Sequence, residues 1–212
     1  MSVIRRTIVS VEIYEEIKKA LFNGDWPPGS RIDRKALAES FGISQTPIND
    51  ALNRLTGEGL VESRQRDGFF VPDYNDEELA DLFTARAGFE SIAARLCAEE
   101  APEAERKAFL RLFGRFGETV EPGMEGAYLA ADKEFHSSII RLAGSSRLVE
   151  VESSFGLSSR SYEHGLVRSP SDTLPEHRAI VDAIVRGDGR AAQLGMADHL
   201  LRTRYFLLKG KA

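Results

Sequence analysis

The sequence predicts a mainly α protein in two parts: a winged helix-turn-helix over residues 1–74 and an antiparallel six-helix bundle over 75–212. Three observations carry this. Apolar residues recur at three- and four-residue steps through most of the chain, the period of half-buried helices. Between Val61 and Val71, two short β-prone runs flank Arg66-Asp67-Gly68, whose Asp-Gly pair is a hairpin signal. Beyond Tyr74 no strand pattern occurs; Pro102, Pro122-Gly123, Gly144, Ser169-Pro170 with Pro175, and Gly187-Asp188-Gly189 punctuate helices instead.

In the first part, a helix is expected over 10–23, with the stripe Val11, Tyr14, Ile17, Leu21 and Gly24 as its stop. Trp26-Pro27-Pro28-Gly29 makes a turn. Asp33 can cap a short second helix carrying Leu37 and Phe41, which Gly42 ends. Ser44 is placed to cap a third helix that tolerates Pro47 in its first turn and buries Ile48, Leu52 and Leu55. Strands over 61–64 and 69–71 complete the layout.

Such a layout presents the start of the third helix to the major groove of DNA. Ser44, Gln45, Thr46 and Asn49 are the side chains that would face out there, Gln and Asn being suited to adenine and hydroxyls to phosphate or base. Lys35, Arg64 and Arg66 suit phosphate, and Gly68 at the hairpin allows close backbone approach to a groove. Charge lends no support: the chain carries a net −5, and residues 1–74 hold 10 basic against 11 acidic side chains. A basic balance is what nucleic-acid binders usually show. The pattern is also that of a helical hairpin with a polar surface and no ligand.

Val11-Tyr14-Ile17, Pro28-Gly29, Leu37-Ala38, Gly42-Ile43-Ser44, Thr46-Pro47, Asp50-Ala51-Leu52, Leu55, Gly59-Leu60-Val61 and Gly68 together resemble the N-terminal domain of GntR-family transcription regulators. Two departures stand out. Gln45 and Asn49 occupy positions where that family usually has arginine. Arginine favours guanine and these two amides favour adenine, so an A·T-weighted operator is expected.

In the second part, helices are expected over 75–100, 103–119, 125–142, 145–165, 174–186 and 189–208. The first carries Leu79, Leu82, Phe83, Arg86, Glu90, Ala93 and Leu96 on one stripe. Arg86 and Glu90 are then an internal ion pair, an interface pair, or, for Arg86, a fork that receives a carboxylate. Thr173-Leu174-Pro175-Glu176 has capping-box spacing for the fifth helix.

The helix over 126–142 has the inward stripe Leu129, Asp132, His136, Ile139, Ala143, with titratable groups where hydrocarbon is expected. Burying them is costly unless something pairs with them. Asp132 and His136, four apart, can hold one cation. His177 leads a face with Ile180 and Ile184, and His199 shares one with Met196, Thr203 and Phe206. A lone histidine on such a face is more often a satisfied core residue, but three with an aspartate are hard to satisfy separately in one small core. His164 has no such placement and reads as a surface residue.

Arg86-x3-Glu90, Asp132-x3-His136-x3-Ile140, Glu176-His177, Ala179-Ile180, Ala183-Ile184, Gly187-Asp188 and His199-Leu200 resemble the C-terminal FCD effector domain of the FadR-like GntR branch, six helices resembling its VanR subgroup. The resemblance implies a metal site at Asp132, His136, His177 and His199. It also implies a homodimer whose ligand biases the placement of two DNA-binding domains on operator DNA. The ligand set suits a divalent ion, zinc foremost, with nickel, manganese or iron as alternatives. A small organic acid bridging metal and Arg86 or Arg160 is the expected effector, and the expected function is repression of a catabolic or transport operon.

Two rivals remain at this point. A metal-assisted hydrolase has no His-Glu-x-x-His helix, Gly-x-Ser-x-Gly elbow or phosphate loop to support it. A purely structural metal would leave DNA binding indifferent to small molecules. No run of about 18 apolar residues is present, so no membrane span is expected. The start, Met1-Ser2-Val3-Ile4-Arg5-Arg6, lacks a signal peptide's apolar core, so a cytoplasmic location is expected. The single cysteine, Cys97, lies among Ala93, Ala94 and Leu96 and is expected to be buried and inert.

Overall fold

A computed structural model gives the architecture of residues 2–162 and 165–209, with side chains described from Val11 onward. His164 lies outside the described residues. The chain divides into two compact units: Met1–Tyr74 with Ser154–Gly156, and Asn75–Ser153 with Leu157–Ala212. Among the described residues no helix is long and apolar enough to cross a membrane.

The first unit runs α1 (Ser2–Asn23), β1 (Arg31–Ile32), α2 (Arg34–Phe41), α3 (Gln45–Gly57), β2 (Glu62–Arg64) and β3 (Gly68–Phe70). Its core gathers Ile17, Ile48, Leu52 and Leu55, none more than 1% exposed. Burying such a side chain stabilises by roughly 1.5–3 kcal/mol. Two expected core positions turn outward: Val11 is exposed while Ile13 packs inside, and Phe41 ends α2 in solvent while Ala38 is buried.

The wing holds three strands in the order β1-β3-β2, all antiparallel. β1 was not foreseen, because two residues between a Pro-Gly turn and a helix cap carry no period. Arg64 pairs with Gly68, so the tip is the three-residue loop Gln65-Arg66-Asp67 rather than a two-residue Asp-Gly turn. Arg66 takes the left-handed backbone (φ 68°). Gly68 takes φ 113°, a backbone that L side chains rarely adopt, and this is what requires glycine there.

The second unit is a helical bundle: α4 (Asp76–Glu100), α5 (Glu103–Ala108), α6 (Leu110–Gly114), α7 (Glu125–Leu142), α8 (Ser146–Phe155), α9 (Leu157–Ser161), α10 (Pro170–Arg186) and α11 (Gly189–Lys209). Two of the six expected helices are each broken in two. At Phe109 the ladder tightens to three-residue steps, and both Phe109 and Phe113 are buried. Gly156 adopts φ 57° and stops α8.

Asn75 starts α4 with a reciprocal capping box: its side chain accepts from the Glu77 and Glu78 amides, and Glu78 reaches back. By contrast α10 starts four residues earlier than its expected capping box, with Ser169 as cap and Pro170 at the first position. Thr173 and Glu176 are therefore interior helix residues, released for other partners. α11 runs antiparallel to α4, with Arg204 donating to Thr84 and Arg95 to Gln193 at the other end. Gly189 permits the approach, because a Cβ there would meet the Glu99 side chain at 2.4 Å. Cys97 is fully buried, and burial pushes its thiol pKa up to about 12, so it is inert near neutral pH.

Candidate metal centre and nucleic-acid interface

Helices α7, α10 and α11 each contribute one imidazole to a shared point in the second unit. Nitrogens of His136, His177 and His199 lie within 4.8 Å of one another, and all three side chains are buried. The Nε2 atoms of His177 and His199 are 3.2 Å apart. Each ring's Nδ1 is engaged elsewhere. His136 Nδ1 meets Glu90 Oε2 at 2.5 Å, His199 Nδ1 meets Glu176 Oε2 at 2.7 Å, and His177 Nδ1 meets the Tyr128 hydroxyl at 2.8 Å. The Tyr128 hydroxyl also lies 2.7 Å from Thr173 Oγ1, which can donate to the Ser169 carbonyl. With Nδ1–H donating outward, each Nε2 keeps a lone pair facing the cluster. Carboxylates behind ligating histidines are the usual means of fixing tautomer and raising basicity.

The electrostatics favour neutral rings at His177 and His199. Burial first, then the neighbouring imidazoles, pushes the His177 pKa well below its ordinary value. His199 is also lowered by burial, despite the opposing hydrogen bond to Glu176. A neutral imidazole offers a lone pair to a cation without first losing a proton. The supporting carboxylates stay charged. Burial would raise Glu90, but Arg86 and His136 outweigh it. Burial would likewise raise Glu176, but His199, Arg168 and Arg202 outweigh it.

Asp132, the expected fourth ligand, lies at the edge of this set. Its Oδ1 is 3.0 Å from His177 Nε2, and its Oδ2 accepts a hydrogen bond from the Tyr162 hydroxyl. Three imidazoles with an adjoining carboxylate fit a divalent ion of the zinc type, and the outward Nδ1 partners fit it as well.

Arg86 is the buried ion pair of the three alternatives. Its Nε lies 2.5 Å from Glu90 Oε1, and the pair is at most 1% exposed. Its Nη1 donates to Ser161 Oγ at 2.6 Å, and Ser158 Oγ donates to Glu90 Oε1 at 3.2 Å. Arg86 does line the small cavity beside His136 and His199, but with its charge already met. Arg160 does not line that cavity; it falls between Ser158 and Ser161, the α9 residues that turn toward Arg86 and Glu90. Sequence reading missed Ser158, Ser161 and Tyr162. The left-handed glycine at 156 was the signal, because it ends one helix and lets a short one present two hydroxyls.

The first unit places its expected residues unevenly. Ser44, Gln45 and Thr46 are exposed at the start of α3. Ser44 has the extended backbone of a cap but makes no capping bond with its side chain, contrary to expectation. Lys35 is exposed and pairs loosely with Glu39 at 3.9 Å. Asn49 is half-buried, and its Oδ1 accepts from Arg34 at 3.2 Å. Arg64 pairs with Glu62 at 3.0 Å and lies over the Phe70 ring, while Arg66 is exposed at the wing tip. Arg31 and Arg34 were missed. With Lys35 and Gln45 they line a cleft of about 410 Å³. Three basic residues within 31–35 were the available signal.

A winged helix-turn-helix in one unit, followed along the chain by an all-helical, histidine-centred unit, forms the build of a bacterial transcription regulator. Residues 81–202 match the FCD domain family, and residues 9–71 match the gntR family of bacterial regulatory proteins. The chain belongs to the FCD-containing GntR regulators. It is 27% identical over 201 residues to the probable D-xylose utilization operon transcriptional repressor of Paenarthrobacter nicotinovorans, covering 92% of this chain and 87% of that protein. It is 28% identical over 131 residues to the HTH-type transcriptional regulator YdhC of Bacillus subtilis (strain 168), 61% of this chain and 58% of that protein's length. Escherichia coli McbR/YncC shares the fold at TM-score 0.70 and 19% identity, over 96% of this chain and 98% of that one. A GntR regulator from Rhodococcus sp. RHA1 does so at TM-score 0.73 and 20% identity, over 96% and 99%. The protein is thus a transcription regulator and not an enzyme, which removes the hydrolase reading.

Proposed function

We propose that the protein is a ligand-responsive repressor, acting as a homodimer on operator DNA, whose FCD domain binds a divalent metal ion and a small organic acid. One observation carries this: three buried imidazoles bring nitrogens within 4.8 Å of one another while Glu90, Tyr128 and Glu176 hold each Nδ1. His136, His177 and His199 would hold the ion, zinc foremost, with Asp132 beside them. The ion would supply a Lewis-acidic anchor for one oxygen of the acid. DNA contacts fall to Ser44, Gln45, Thr46 and Asn49 for bases, and to Lys35, Arg64, Arg66 and the Gly68 backbone for phosphates.

Zinc added to metal-free protein at about 100 times its Kd is expected to stabilise the FCD domain by about 2.7 kcal/mol. Its unfolding midpoint then rises by roughly 5–11 °C. His136→Ala and His177→Ala should each abolish that rise, and an unchanged rise in both would remove the metal reading. A gel shift that responds to organic acids only in the zinc-loaded protein separates an effector site from a purely structural ion.

Gln45→Arg tests the interface separately. An Arg–guanine pair is worth about 1–3 kcal/mol of base discrimination. Binding-site selection should therefore return guanine where the unaltered protein returns adenine, and identical operators from both would show that Gln45 does not read bases.

A further inference from the structure

Two arginines line the cavity beside the histidines, and their circumstances differ. Arg86 is 1% exposed, and its partner Glu90 relies on it for charge while holding His136. Drawing Arg86 toward a ligand would strand that carboxylate in the core, where an uncompensated charge is strongly destabilising.

Arg168 stands between α9 and α10 and faces both the inner cavity and an outer groove of about 410 Å³. It forks onto Glu176 with bonds of 2.8 and 2.9 Å. Glu176 is amply supplied without it: Oε2 also receives His199 Nδ1 at 2.7 Å, and Oε1 receives Arg202 Nη1 at 2.9 Å. Arg168 can leave with each Glu176 oxygen still bonded and a net cation still beside it. The inner cavity, about 30 Å³, takes an ion and a water but not an organic acid. An acid must therefore dock at the mouth, where Arg168 is.

We propose that Arg168, rather than Arg86, is the effector's carboxylate receptor, exchanging Glu176 for the incoming anion. This rests on the effector reading above. A guanidinium fork suits a carboxylate in two parallel bonds, which a lysine cannot supply.

Isothermal titration of the zinc-loaded chain with citrate, malate and acetate tests it, alongside zinc titration of the metal-free chain. Arg168→Gln should weaken the acids that bind by at least tenfold while leaving zinc affinity within threefold. Arg168→Lys, which keeps the charge beside Glu176 and guards against misfolding, should recover only part of the loss. Arg95→Gln, on an exposed pair away from the cavity, should bind like the unaltered chain. Acid binding that survives in both Arg168 variants overturns the proposal. So does loss of zinc in step with the acids, which would mean that Arg168 serves only to hold Glu176. If the unaltered chain binds zinc but none of the acids, the effector reading fails first and takes this one with it.

Discussion

Replacing Glu90 by glutamine is expected to cost the FCD domain about 3–5 kcal/mol, the usual penalty for stranding one member of a buried ion pair. The total stability of a domain is commonly about 5–15 kcal/mol, so urea denaturation should register the change plainly. The reason lies in what Glu90 holds: Arg86 on one side, the His136 ring on the other, and the Ser158 hydroxyl as well. Metal affinity should fall by about 10–100-fold, because His136 loses the carboxylate that fixes its tautomer. The double variant Arg86→Met with Glu90→Leu discriminates between the two effects. Hydrocarbon in place of a buried pair often restores stability. Metal affinity should nevertheless stay low. Recovery of both together would mean that Glu90 does nothing for the imidazole beyond keeping the fold.

The second large effect is expected in the DNA-binding unit. Leu52 is fully buried among Ile17, Ile48 and Leu55. Leu52→Ala should destabilise that unit by about 2–5 kcal/mol, the range for leucine truncation in a packed core. A unit this small buries a modest share of its surface and has little stability to spare. Operator binding should be lost while zinc binding by the FCD domain persists, and helical circular dichroism should fall by only the share α1 to α3 contribute. Loss of zinc binding in the same variant would show that the two units do not fold as separate bodies.

Much of this was legible in the residues. Ile48, Leu52 and Leu55 marked the third helix because three- and four-residue spacing of leucine and isoleucine is what a buried helical face requires. Asp132, His136, His177 and His199 stood out for the opposite reason: polar groups at positions owed to hydrocarbon. Their meeting point was not legible. Helical phase tells which way a side chain faces, not which neighbour it finds across the bundle. Glu176 shows the gap well. Its sequence position fitted a capping box, but Ser169 started the helix earlier and left Glu176 free to reach His199. Arg168 sits in a connection without any period, so nothing in the pattern distinguished it from other surface arginines.

The three imidazoles stand on α7, α10 and α11, rods that are far apart along the chain. An ion joining them ties off long loops of the unfolded chain, and such a clip gains most where the loops are longest. On the metal reading proposed above, losing the ion would loosen the second unit and leave the first, which holds no part of the cluster, as it was.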